Sequence, residues 1–199
     1  METTQKSVDD ALRNLWMVPQ EIISLGNEIA VTNKHLIQNE IDKILDCFDD
    51  IKYSAVETQT DILPCLQINE ANLYDILNGI LLDMTECVNH YINEAVANVR
   101  NSVTAVNTIA DEVLIIQKQL ISCGKDDEEC LNYVIGWIYE ATFDIPHRIA
   151  DEVRHSVSAL EEFKIVTAEC GTGKIEEVFL HGGTIIGEIM RCVDRIFER

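Results

Sequence analysis

Four stretches of the chain carry residue types that do chemistry in other settings. Glu152-Val153-Arg154-His155 has the Glu-x-x-His step of di-iron carboxylate sites. Such sites need a second copy of the motif and two further glutamates on facing helices. The nearest candidate, Glu86 with His90, is spaced i, i+4, so the motif reads as a surface ion pair. Cys170-Gly171-Thr172-Gly173-Lys174 has the look of a phosphate loop. Ala168 and Ile175 stand where that loop requires glycine and a hydroxyl residue, so a turn is the better reading. His181-Gly182-Gly183 resembles part of an oxyanion motif, but no G-x-S-x-G nucleophile elbow accompanies it. Lys125-Asp126-Asp127-Glu128-Glu129 is acidic without the alternation and glycine of a calcium loop. Acids decorating a helix N-terminus account for it. No catalytic residue, metal ligand or cofactor is assigned, and a non-enzymatic protein is expected, with a metal-dependent enzyme the remotest alternative.

The chain carries 15 basic and 35 acidic residues, a net charge of −20. That surface repels phosphate backbones and anionic lipid headgroups, which excludes nucleic acid as a natural partner. No run of about 20 apolar residues is present, so no membrane span is expected. The first residues lack the apolar region of a signal peptide. Either the protein is cytoplasmic or it is a mature secreted domain with an added start methionine. Seven cysteines without zinc spacing, several at the edges of expected loops, favour disulfides and secretion.

The elements that must position these residues are helical. With 3 prolines and 9 glycines in 199 residues, a many-turned β fold is not expected. The dominant stretch is Ala71 to Ile121, proline-free, with Leu73, Leu77, Ile80, Met84, Tyr91, Ala95, Val99, Val106 and Val113 recurring at steps of three and four like a coiled-coil heptad. Before it, a helix from Ser7 should end or kink at Pro19, and another should run from Gln20 to about Lys52. Ser54-Ala55-Val56-Glu57 fits a capping box opening a short helix that Pro64 would stop. Past the acidic tip, a return arm to about Thr167 should kink or split at Pro146. A turn at Cys170 to Lys174 and a last helix complete the chain. Gly182 and Gly183 mark either close helix packing or a break. No internal repeat and no linker are evident. The expectation is all-α: residues 1–199 as one domain, an elongated antiparallel helical bundle of five to six helices, with one very long central helix and disulfide staples.

Antiparallel helices bring residues equidistant from a turn to the same height. A turn near residue 126 places Cys87 close to Cys170, and one near residue 60 places Cys47 close to Cys65. The expected bridges are therefore Cys47–Cys65, Cys87–Cys170 and Cys123–Cys130, leaving Cys192 either as a small buried hydrophobe or as an intermolecular link. Wide apolar faces and the aromatics Trp137, Phe143 and Phe179 suggest a second possibility, an interhelical cavity for a lipid or other small apolar ligand.

The long acidic heptad helix, the Cys-x6-Cys loop at Cys123 and Cys130 and the later Cys170 resemble, over about Asn69 to Cys170, secreted helical insect proteins with a TsetseEP-type domain. The resemblance implies an extracellular, non-enzymatic protein. The functional expectation is a secreted structural or interaction protein using a helical face for self-association or partner binding, with a carrier of an apolar ligand as the alternative.

Overall fold

The computed structural model describes residues 2–124 and 126–197. It is all-α, with no strand among the described residues. The described residues form three helices: α1 (Glu2–Glu57), α2 (Leu63–Ser122) and α3 (Glu128–Phe197). Their lengths are 56, 60 and 70 residues, so the stretch 71–121 is the body of one of three long helices.

The buried positions recur every 11 residues. On α1 they include Thr4, Leu15, Gly26, Ile37 and Phe48; on α2, Leu73, Met84, Ala95 and Val106; on α3, Val134, Ile145, Ser156, Thr167, Val178 and Ile189. Eleven residues are three turns of about 3.67 residues, close to the relaxed α-helical 3.6, whereas a heptad demands about 3.5. The expected heptad is thus replaced by a longer period that keeps one face inward with little winding strain. Residue types at these positions vary from Phe to Ser, which is why the repeat is one of burial and was not evident as a repeat of sequence.

Three expected breaks are not made. The helices continue through Pro19 and Pro146. Each proline forfeits one backbone hydrogen bond, at a cost of about 3 kcal/mol. Burial of Leu15 and Ile22 beside the first, and of Ile145 and Ile149 beside the second, offsets it at about 1.5–3 kcal/mol per large apolar side chain. The glycine-rich stretch from Cys170 to Lys174 is helical, not a turn. There Gly171 lies against the Asn33 side chain, and 11 residues on, Gly182 lies against Ile44. A Cβ at either position would collide with its neighbour, so close approach of α3 to α1 explains both glycines. The equal steps, 33 to 44 and 171 to 182, show that α1 and α3 run parallel in this part of the chain.

Ser54 to Glu57 do not open a helix; they are the last turn of α1. The end is a Schellman motif: Thr60 N–H donates to Ala55 O at 2.9 Å and Gln59 N–H to Val56 O at 3.2 Å, with Gln59 at φ 53°. Asp61 then caps α2, its Oδ1 accepting from Leu63 N–H at 3.1 Å. Pro64 sits in the first turn, where a missing N–H costs nothing. At the other connection Asp127 Oδ1 accepts from Cys130 N–H at 3.0 Å, and Glu128 and Glu129 occupy the first turn of α3. Lys125 of that loop lies outside the described residues.

Contacts divide the chain into two compact units, each with a segment of every helix. The first takes the chain up to Leu25 and Ile92–Lys164; the second takes Gly26–Tyr91 and Ile165 onward. The divisions fall inside continuous helices, so no linker composition marks them. In the first unit Val8, Ala11 and Leu15 of α1 pack with Val106, Ile109 and Val113 of α2 and Ile145 and Ile149 of α3. The second buries Ile37, Ile41 and Phe48 of α1, Leu73, Leu77 and Met84 of α2, and Val178, Ile185 and Ile189 of α3.

Candidate functional site

The cysteines form three bridges. Cys87–Cys170 and Cys123–Cys130 have Cα separations of 6.0 and 5.7 Å. The third is Cys65–Cys192, at 5.8 Å, and Cys47 is free and exposed. The expected Cys47–Cys65 bridge fails because α1 runs unbroken to Glu57 and α2 starts at Leu63. The residue of α1 level with Cys65 is then near Ala55, and Cys47 lies about 12 Å further along the axis at 1.5 Å per residue. One signal in the sequence points to the correct pairing. Cys65 and Cys87 are 22 residues apart (87 − 65), as are Cys170 and Cys192 (192 − 170), two 11-residue periods on each helix.

The residues with chemical potential are dispersed into ion pairs. His155 Nδ1 is 4.0 Å from Glu152 on the surface. Lys174, from the stretch resembling a phosphate loop, binds Glu177 at 2.8 Å and Asp83 at 3.2 Å, and chiefly the Glu177 hydrogen bond raises its pKa. Arg148 of α3 grips Glu112 of α2 with both terminal nitrogens, at 2.6 and 2.8 Å, and reaches Asp144 at 3.3 Å. Arg148 thereby holds the Glu112 carboxyl below its usual range, against the opposing effect of partial burial. Lys52 donates to Glu70 at 2.7 Å and lies over the Phe48 ring at 4.4 Å. Among the described residues no group of three His, Cys, Asp or Glu side chains converges to hold a metal ion, and no helix is long and apolar enough to cross a membrane.

The aromatics expected around a cavity do not enclose one. Phe143 and Phe179 face solvent, and Trp137 is half-buried against Tyr133, ring centroids 4.9 Å apart. Geometry gives the reason for Phe143. It lies nine residues past Val134 and two before Ile145, about 180° and 200° around the helix from these inward positions at 100° per residue. Instead it forms an outward face with Tyr139 and Ile135, spaced i, i+4, i+8. Tyr139 and Phe143 meet edge-on, centroids 5.0 Å apart, with exposures of 68% and 59%. Glu140 and Asp144 border them, also exposed. A preformed aromatic pair next to an aliphatic side chain is the kind of anchor that buries well in a complementary surface.

No family model, no curated protein and no solved structure matches the chain.

Proposed function

We propose that the protein is a secreted, non-enzymatic interaction protein that engages a protein partner through Ile135, Tyr139 and Phe143 of α3. The exposed aromatic pair carries this reading, because leaving such area in water is unfavourable by roughly 25 cal/mol per Å² relative to burying it. Three disulfides support an oxidising compartment, and the resemblance of the Cys123–Cys170 layout to TsetseEP-type proteins accords with it. Glu140 and Asp144 at the margin favour a partner with a basic rim around an apolar centre. A second copy is a poorer occupant, since two chains of net charge −20 repel.

The test immobilises the native chain and its Tyr139→Ser/Phe143→Ser variant and exposes both to fluid from the protein's own source. The expected result is one stoichiometric protein held by the native chain, released by salt and absent from the variant. Equal retention by both forms removes the face from consideration.

A carrier of an apolar ligand is the second reading. It is favoured by a groove of about 250 Å³ between α1 and α3, lined by Ile51, Ala55, Met190, Val193 and Phe197. Ligand pockets commonly start at about 300 Å³, so this groove suits a short acyl chain. Displacement of a bound fluorescent fatty acid, lost in Met190→Glu, tests it.

A further inference from the structure

Beside the Cys65–Cys192 bridge, in the second unit, lies an open groove of about 660 Å³. Pro64 and the bridge line it together with Asn69, Glu188, Arg191 and Arg195. The two arginines are one helical turn apart on α3, so their side chains share a face. Each is anchored by its Nε: Arg191 donates to Gly187 O at 3.2 Å and Arg195 to Arg191 O at 3.1 Å. These bonds do not use the terminal nitrogens of either guanidinium, the fork that matches an oxyanion. Among the described residues neither has a carboxylate within ion-pair distance, in a chain with 35 acidic side chains against 15 basic ones. The first turn of α2 adds no free donors. Its Leu63 N–H is taken by Asp61, and the Cys65 and Leu66 N–H groups by Ile62 O. Recognition therefore falls to the guanidiniums. Asn69 Nδ2 donates to Cys65 O at 2.9 Å, which leaves its Oδ1 to accept.

We infer that this groove is a binding site for a phosphate ester, with Arg191 and Arg195 gripping the phosphate. Glu188, which also lines the groove, selects among such ligands. It leaves the groove with a net charge of one, which favours a monoester or a zwitterionic aminoalkyl phosphate over a polyanion, and its carboxylate with the free Asn69 oxygen suits an ammonium group. The site is separate from the aromatic face of the first unit, so each stands without the other.

The test is an amide NMR titration of the full-length oxidised protein at fixed ionic strength. Inorganic phosphate and phosphoethanolamine are the soluble probes, chloride is the control, and phosphatidylethanolamine vesicles form a separate sedimentation arm. Saturable shifts confined to residues 64–69 and 188–195 are expected, with a Kd near 1 mM or below. Phosphoethanolamine should bind more tightly than phosphate. Arg191→Gln/Arg195→Gln should weaken binding at least about tenfold, and Glu188→Gln should narrow the preference for the amine. Vesicle binding that disappears with the arginines assigns the ester to a lipid headgroup, and binding of soluble probes alone assigns it to a free metabolite. Shifts that chloride reproduces, or an unchanged Kd in the double variant, overturn the proposal. Both arginines are exposed, and an unchanged helical circular dichroism spectrum confirms that the variant is folded.

Discussion

Cys65 is joined to Cys192 two 11-residue periods away from the point where Cys87 is joined to Cys170. At about 1.5 Å per residue the two bridges stand about 33 Å apart along α2. Since 22 residues are about six turns, both cysteines of each helix lie on nearly the same face. A single antiparallel register between α2 and α3 thus satisfies both bridges. α1 carries only the free Cys47 and is held by packing and polar contacts.

The bridges close chain segments of very different length, with sequence separations of 127, 83 and 7. Because a cross-link acts largely by restricting the unfolded chain, its effect grows with the loop it closes. Cys65→Ser/Cys192→Ser and Cys87→Ser/Cys170→Ser should each lower stability by about 3–4 kcal/mol, and Cys123→Ser/Cys130→Ser by about 2 kcal/mol. Urea denaturation of the three double variants checks the order. A tip bridge that matters as much as the other two would mean that native-state strain, not chain entropy, dominates.

Gln59 closes α1 in the left-handed region, at φ 53°, inside a complete Schellman motif. A side chain with a Cβ is strained there by roughly 1–2 kcal/mol, and glycine is not. Gln59→Gly should therefore stabilise the protein by about 0.5–1 kcal/mol after the added flexibility of the unfolded chain is subtracted. The thermal midpoint should rise, while Gln59→Ala leaves it nearly unchanged.

Gly182 and Gly183 are adjacent in sequence and should respond to alanine with opposite signs. Gly182 is pressed against Ile44, whereas a Cβ at Gly183 meets nothing within 4 Å. Gly182→Ala should destabilise by about 1–3 kcal/mol through overpacking, partly recovered in the Ile44→Val background. Gly183→Ala should stabilise by up to about 1 kcal/mol, from helix propensity alone. Denaturation midpoints of the two single variants and the Ile44→Val combination decide it.

The helical class was legible because proline and glycine are scarce and apolar residues recur at three and four. The Cys123–Cys130 and Cys87–Cys170 bridges were legible because antiparallel helices about a turn near residue 126 bring equidistant residues to the same height. The number of helices was not. Pro19, Pro146 and Gly171 each carry a local signal for a break, and each is overridden by burial on both sides or by a neighbour that needs the space. The 11-residue period was hidden because alternating steps of three and four fit 3.5 and 3.67 residues per turn almost equally over a few turns. The two diverge only over the length of a whole helix of 56 to 70 residues. The orientation of Phe143 was hidden for a related reason: only its angle to Val134 and Ile145, at about 100° per residue, places it outward.

Arg148 and Glu112 tie α3 to α2 across the first unit, and their titration has a definite sign. Glu112 is held below its usual pKa, chiefly by the Arg148 hydrogen bond. Its contribution is therefore fully present above the unfolded-state carboxylate pKa of about 4.3 and is lost as pH falls through the depressed folded value. The side chains are 40% and 41% exposed, so screening keeps the contribution below about 1 kcal/mol. Arg148→Gln should lower the urea midpoint slightly at pH 7 and not at pH 2, converging with the native protein through the acid limb. A gap that persists at pH 2 would assign the effect to packing of the Arg148 stem against α2, with the charge pair contributing nothing measurable.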